Sequence, residues 1–158
     1  MRLIELLTQE RVGIRHNEDG ARSLDKAGVL HALAQALAPG AQVDASEVER
    51  VLSEREQLQS TGIGEGVAIP HGALSQLHTQ YAALLIVPEG VDFSAIDGLR
   101  VTILFAVIGP KRATGEHLKT LARVSRLLRN KSFRDRLVAA TDTADAYALI
   151  VAEEGEQR

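Results

Sequence analysis

His71 stands between Pro70 and Gly72, at the end of the stretch Ser60-Thr61-Gly62-Ile63-Gly64-Glu65-Gly66-Val67-Ala68-Ile69. Proline fixes its own φ and restricts the residue before it, and Gly72 keeps the far side clear of a side chain. An imidazole in so stiff and open a setting suits a nucleophile. Phosphoryl transfer asks mainly for positioning and charge stabilisation. The alternative is a turn histidine with no role. His117 is the second candidate. It begins a helix whose apolar positions Leu121, Val124 and Leu128 share its side. A helix N-terminus disfavours a protonated imidazole and favours a bound anion, so a neutral ring there can donate to a phosphoryl oxygen. Simple capping or packing is the other reading. Arg55 carries a planar guanidinium that can hold a phosphoryl group bidentately, or it forms an ordinary surface pair. Gly62, Gly64 and Gly66 fit neither a dinucleotide fingerprint nor a Walker A loop. They make either a backbone cradle for an anion or plain turns with positive φ. His16, His31 and His78 lack metal-ligand spacing and read as surface residues, so no metal site is expected.

Composition narrows the chemistry. With no cysteine, the 158-residue chain has neither disulfides nor thiolate ligands nor a cysteine nucleophile. Aromatics at 3% and a net charge of −3 argue against base-stacking surfaces and a dedicated nucleic-acid binder. The basic residues of 111–136, with Lys119, Arg123 and Arg126 on one helix face, read as a solvated face rather than a docking surface. No apolar run is long enough for a membrane span and no signal peptide is evident, so the expected location is the cytoplasm.

The elements that must hold these residues follow from pattern. Residues 3–7 suit a helical turn and Val12–Ile14 a short strand. Asp19-Gly20 reads as a turn. A helix is predicted from about Ser23 to Ala38, stopped by Pro39-Gly40, and another from Asp44, with Glu47 completing a capping box, to about Gln57. Ala82–Val87 and Val101–Ile108 are apolar and β-branched enough for buried strands. Between them lie an extended piece at Val91–Phe93 and a turn at Asp97-Gly98. Helices follow over about 114–129, 132–140 and 143–152. The reading is one α/β domain over residues 1–152, a three-layer sandwich, with 153–158 as a polar C-terminal tail.

Taken together, Arg55-Glu56, Ser60-Thr61-Gly62-Ile63-Gly64 and Ala68-Ile69-Pro70-His71-Gly72 resemble the signature of the fructose/mannitol-type enzyme IIA proteins. These belong to the phosphoenolpyruvate-dependent sugar phosphotransferase system. The segments Phe93 to Gly98, Leu104-Phe105-Ala106 and His117-Leu118-x-x-Leu121 agree in order and spacing, and the nitrogen-regulatory branch is the most similar. The resemblance implies an α/β/α sandwich with a central mixed sheet. It implies that His71 accepts a phosphoryl group from an HPr-like histidine phosphocarrier, that His117 hydrogen-bonds it, and that Arg55 and the loop Ser60, Thr61 and Gly62 help hold it. It implies no cofactor, and as the onward partner a regulatory target or, alternatively, a separate IIB subunit of sugar transport; a binding module without phosphotransfer is a third possibility. Two departures stand out. Glu65 replaces a residue that is often neutral, and Ala73 one that is often basic. Both are expected to make the surroundings of His71 more negative. If Glu65 lies within about 8 Å of the phosphoryl group, Glu65→Asn should favour the phosphorylated form several-fold.

Overall fold

The computed structural model describes residues 2–16 and 24–157. The Asp19-Gly20 turn and the Ser23 helix start lie outside the described residues. After short 3₁₀ turns at Leu3–Glu5 and Gln9–Arg11, the chain forms β1 (Val12–Ile14), α1 (Lys26–Ala41) and α2 (Ala45–Leu58). Four strands come next: β2 (Gly62–Gly64), β3 (Val67–Ala68), β4 (His71–Leu74) and β5 (Tyr81–Val91). β6 (Val101–Pro110), α3 (Thr114–Leu127), α4 (Lys131–Val138) and α5 (Thr143–Glu156) complete it.

The sheet order is β1-β5-β6-β3-β2, with β4 also on β6. β5 and β6 run antiparallel, while β1 is parallel to β5, and β3 and β4 are parallel to β6. The mixed sheet expected from the resemblance is therefore present. β5 and β6 are covered on both faces, which is why both are almost continuously apolar. Ala83, Leu85, Val87, Leu104, Ala106 and Ile108 meet α1 and α2. Ala82, Leu84, Ile86, Ile103, Phe105 and Val107 meet α3, α4, α5 and the N-terminal turn. Strand alternation thus sorts the core into two halves and yields three layers.

Local signals were overridden at three points. Pro39 does not stop α1, which runs on to Ala41. The proline falls in the last turn and deprives only the carbonyl of Gln35, an exposed residue that water can satisfy. Gln42, at φ 57°, closes the helix instead. Asp44 caps α2 without a side-chain hydrogen bond. Glu47, expected to complete the box, is drawn to Arg50 one turn on, at 2.9 Å. The expected tail from Glu153 is the end of α5. Glu154 is buried and accepts from the backbone N–H groups of Leu3 and Ile4, at 2.6 and 3.0 Å. Among the described residues no helix is long and apolar enough to cross a membrane.

Candidate functional site

β3 and β4 are one strand interrupted at Ile69-Pro70. Both lie along β6, Val67 opposite Ile103 and His71 opposite Val107. The interruption turns two carbonyls to separate tasks. That of Pro70 accepts from Val107 N–H at 2.9 Å. That of Ile69 accepts from Nδ1 of the His71 ring at 2.8 Å. A carbonyl only accepts, so Nδ1 carries the proton. On the other side the Arg55 Nε–H donates to His71 Nε2 at 3.2 Å. A guanidinium only donates, so Nε2 holds a lone pair. The ring is thus fixed as the neutral tautomer with its lone pair on Nε2. Burial pushes its proton affinity below the ordinary histidine value, and the Arg55 charge adds to that; the Ile69 carbonyl and Glu56 act in opposition.

Arg55 reaches His71 because α2 packs closely here. A Cβ on Gly72 would meet Val51 Cγ2 at 3.0 Å, and Arg55 lies one turn beyond Val51 on the same helix face. Its Nη1 is tied to the carbonyl of Gln59 at 2.8 Å. The half-buried His117 lies in the first turn of α3, its ring centroid 5.5 Å from that of His71 and tilted by 52°. Burial lowers its proton affinity, and the neighbouring His71 acts in the same direction. Its Nδ1 is buried without a partner.

The loop Ser60-Thr61-Gly62 spends its polar groups inside the protein. Ser60 Oγ donates to the carbonyl of Phe93 and accepts from Gly62 N–H, at 2.8 and 3.1 Å. Thr61 N–H and hydroxyl both donate to the buried carboxylate of Glu56, which Lys26 neutralises at 2.9 Å. The carbonyl of Thr61 accepts from Ile69 N–H at 3.0 Å. The route from Glu56 through Thr61 and Ile69 therefore ends on the His71 ring. Sequence reasoning gave Glu56 no role of its own, because the residue it fixes is placed by the fold.

The glycine stretch is a hairpin rather than an open cradle. Glu65 and Gly66, at φ 60° and 79°, link Gly64 to its partner Val67, in the manner of a type I′ turn. The Glu65 N–H is taken by Asp97 Oδ2 at 2.9 Å. Val67 and His71 are four residues apart on the same edge, roughly 13 Å, and Glu65 lies further still. Its carboxylate pairs with Arg134 at 3.0 Å. The expectation that Glu65 makes the surroundings of His71 more negative is thus overturned by strand geometry and by a cation 69 residues away in sequence. Ala73 and Gly72, next to His71, line a cleft of about 620 Å³ with Arg55 and Lys111, and with Arg50 paired to Glu47 and Glu54.

The other histidines stand apart. His16 and His31 pair with Glu89 and Glu49, at 2.8 and 2.7 Å, and His78 is exposed. Much of the basic run is likewise occupied. Arg134 caps the carbonyls of Leu128 and Arg129 after α3, Arg136 pairs with Glu153, and Lys131 with Asp135.

Two histidines and an arginine meeting at an interrupted strand invite comparison with known proteins. Residues 14–153 match the family model described as phosphoenolpyruvate-dependent sugar phosphotransferase system, EIIA 2. The chain belongs to that family. This EIIA chain is 40% identical over 108 residues to a nitrogen regulatory protein of Pseudomonas aeruginosa, covering 68% of this chain and 70% of the relative. It is 38% identical over 103 residues to a nitrogen regulatory protein of Bradyrhizobium diazoefficiens, covering 65% and 67%. The crystal structure of nitrogen regulatory protein IIA-Ntr from Neisseria meningitidis superposes with a TM-score of 0.83 at 30% identity, covering 94% of this chain and 98% of that one. The EIIA domain is thus a phosphotransferase-system component with the α/β fold of its relatives.

Proposed function

We propose that this EIIA chain is a cytoplasmic regulatory phosphocarrier that takes a phosphoryl group on Nε2 of His71 from an HPr-like histidine phosphocarrier. The observation that carries the reading is the pair of single-purpose partners on the His71 ring. The Ile69 carbonyl holds the proton on Nδ1, and Arg55 marks the free lone pair. In the transfer, the Nε2 lone pair forms the new P–N bond as the bond to the donor's ring nitrogen breaks, and that electron pair returns to the donor. Arg55 moves from the lone pair to the phosphoryl oxygens. His117, 5.5 Å away, donates to another oxygen, and the Glu56–Thr61–Ile69 route keeps the ring from turning. No metal or organic cofactor enters this scheme; fixed donors supply the electrostatics. Leu58 and Leu118, 82% and 61% exposed, are adjacent in sequence or one turn away from the Arg55 and His117 side chains and offer apolar contact to the donor. The regulatory assignment, rather than passage to a IIB subunit, is supported by the nitrogen-regulatory relatives.

The test is incubation with phosphoenolpyruvate, enzyme I and the histidine phosphocarrier, followed by intact-mass measurement. One acid-labile, base-stable phosphoryl group is expected on the wild type and none on His71→Ala. Full labelling of His71→Ala would refute the assignment. Efficient onward transfer to IIB domains, with no effect of phosphorylation on any regulatory protein bound, would favour transport instead.

A further inference from the structure

Among the described residues three buried side-chain atoms lack a hydrogen-bond partner: Thr8 Oγ1, Gln80 Oε1 and His117 Nδ1. The last two converge. A Cβ on Gly109 would lie 3.0 Å from Gln80 Cγ and 3.6 Å from His117 Nδ1, so both side chains border the space that this glycine leaves open. Gln80, just before β5, is only 4% exposed. With Glu116, Lys119, Thr120 and Arg123 it lines a cavity of about 230 Å³ beside the start of α3. A buried amide oxygen left bare is costly, and Oε1 can only accept. His117 Nδ1 can donate if it carries the proton. One proton on Nδ1 then satisfies both atoms, directly after a small rotation of the amide or through one water in the gap.

We propose that Gln80 is a positioning residue for phosphoryl transfer, its Oε1 accepting the Nδ1–H of His117 and leaving Nε2 of that ring to face the phosphoryl group. The proposal rests on the reading of His71 as the phosphoacceptor. As the P–N bond to the donor breaks and the bond to His71 Nε2 forms, negative charge arrives beside His117. His117 then takes a proton from solvent at Nε2 and becomes an imidazolium, held by Gln80 on one side and by a phosphoryl oxygen on the other. The other titratable and charged groups around it are His71 and Arg55 across the site, Glu56 behind His71, and Glu116, Lys119 and Arg123 on its own helix. None of them bonds to Nδ1.

The experiment is ¹⁵N NMR of the histidine rings, free and phosphorylated, over a pH titration, on the wild type, Gln80→Met and Gln80→Glu. In the free wild type His117 should be neutral with Nδ1 protonated, and in the phosphorylated protein both nitrogens should carry protons. Gln80→Met should lower the His117 midpoint in the phosphorylated protein by about one pH unit, a tenfold loss of proton affinity. At about pH 8, where the imidazolium is then scarce, onward transfer should slow about tenfold. Gln80→Glu, which keeps the acceptor oxygen, should restore both. An unprotonated Nδ1 in the free wild type would overturn the proposal, because the amide would then be donating through its other face. So would a Gln80→Met protein with the wild-type midpoint and rate. If His71 takes no phosphoryl group at all, the phosphoacceptor reading fails, while the ring state of His117 in the free wild type still decides for or against Gln80.

Discussion

Gly72→Ala tests whether helix packing places Arg55 on His71, the proposed nucleophile. The new methyl carbon would sit 3.0 Å from Val51 Cγ2 and 3.3 Å from Val51 Cβ. Ordinary carbon contacts lie at about 3.5–4.0 Å, so α2 must withdraw by roughly 0.5–1 Å. Gly72 is not among the positive-φ glycines, so the backbone itself accepts alanine. The Arg55–His71 bond, 3.2 Å now, would stretch past the distance at which it counts as a hydrogen bond. Overpacking of this size costs about 1–3 kcal/mol of stability, and a misplacement of about 1 Å in a positioned group costs up to about 10² in rate. The expected result is a folded protein, phosphorylated about 10–100-fold more slowly in a quenched time course read by intact mass. Val51→Ala in the same chain removes the nearest contact and should recover much of the rate. Arg55→Gln should add little to Gly72→Ala, because both act on one bond. Slow transfer with no recovery in Gly72→Ala/Val51→Ala, or full additivity with Arg55→Gln, would refute the reasoning.

Glu65→Asn should leave the ratio of phosphorylated to free protein unchanged at low and high salt, as measured against a fixed donor. Its stability by urea titration should change by under about 1 kcal/mol, since Glu65 is 75% exposed in its pair with Arg134. Arg134→Met should be far more damaging, about 2–4 kcal/mol in the same titration, because it strips partners from the carbonyls of Leu128 and Arg129. Burial lowers the proton affinity of His71 and His117, so the unfolded chain binds more protons below about pH 6.5 and stability must fall as pH drops through that value. Replacing both histidines by Gln should flatten this part of the pH–stability curve. Glu154→Ala should lower stability by about 2–4 kcal/mol in thermal melts, leaving the buried Leu3 N–H and its neighbour Ile4 without an acceptor.

The sheet was legible because β5 and β6 advertise burial on both faces through unbroken apolar runs. His71 stood out through its Pro-His-Gly setting, whereas local pattern left His117 and Arg55 open and the family resemblance singled them out. The structure brings all three together. What escaped was whatever depends on distant chain segments. Arg134 neutralises Glu65 across a gap that no local pattern spans, and Gln80 and His117 border the same space beside Gly109 although 37 residues separate them. Glu154 looked like solvent-exposed tail until the N-terminal turn supplied its partners. The capping box at Asp44 had the right spelling and lost to Arg50, a competitor at equally favourable helical spacing.

A half-exposed imidazole with an unprotonated ring nitrogen attracts more than phosphorus: histidine is also the commonest protein ligand for transition metals. Among the described residues no group of three metal-binding side chains stands near to assist such capture, and Arg55 adds an active bias. Its guanidinium rests on the very lone pair that a metal ion would need. A cation approaching that nitrogen meets a fixed positive charge, whereas an electrophile wrapped in anionic oxygens is drawn towards it. The arginine therefore sorts incoming electrophiles by the sign of their charge before any bond is made, and in the proposed phosphocarrier role this keeps the His71 nitrogen available to a phosphoryl donor in a metal-containing milieu.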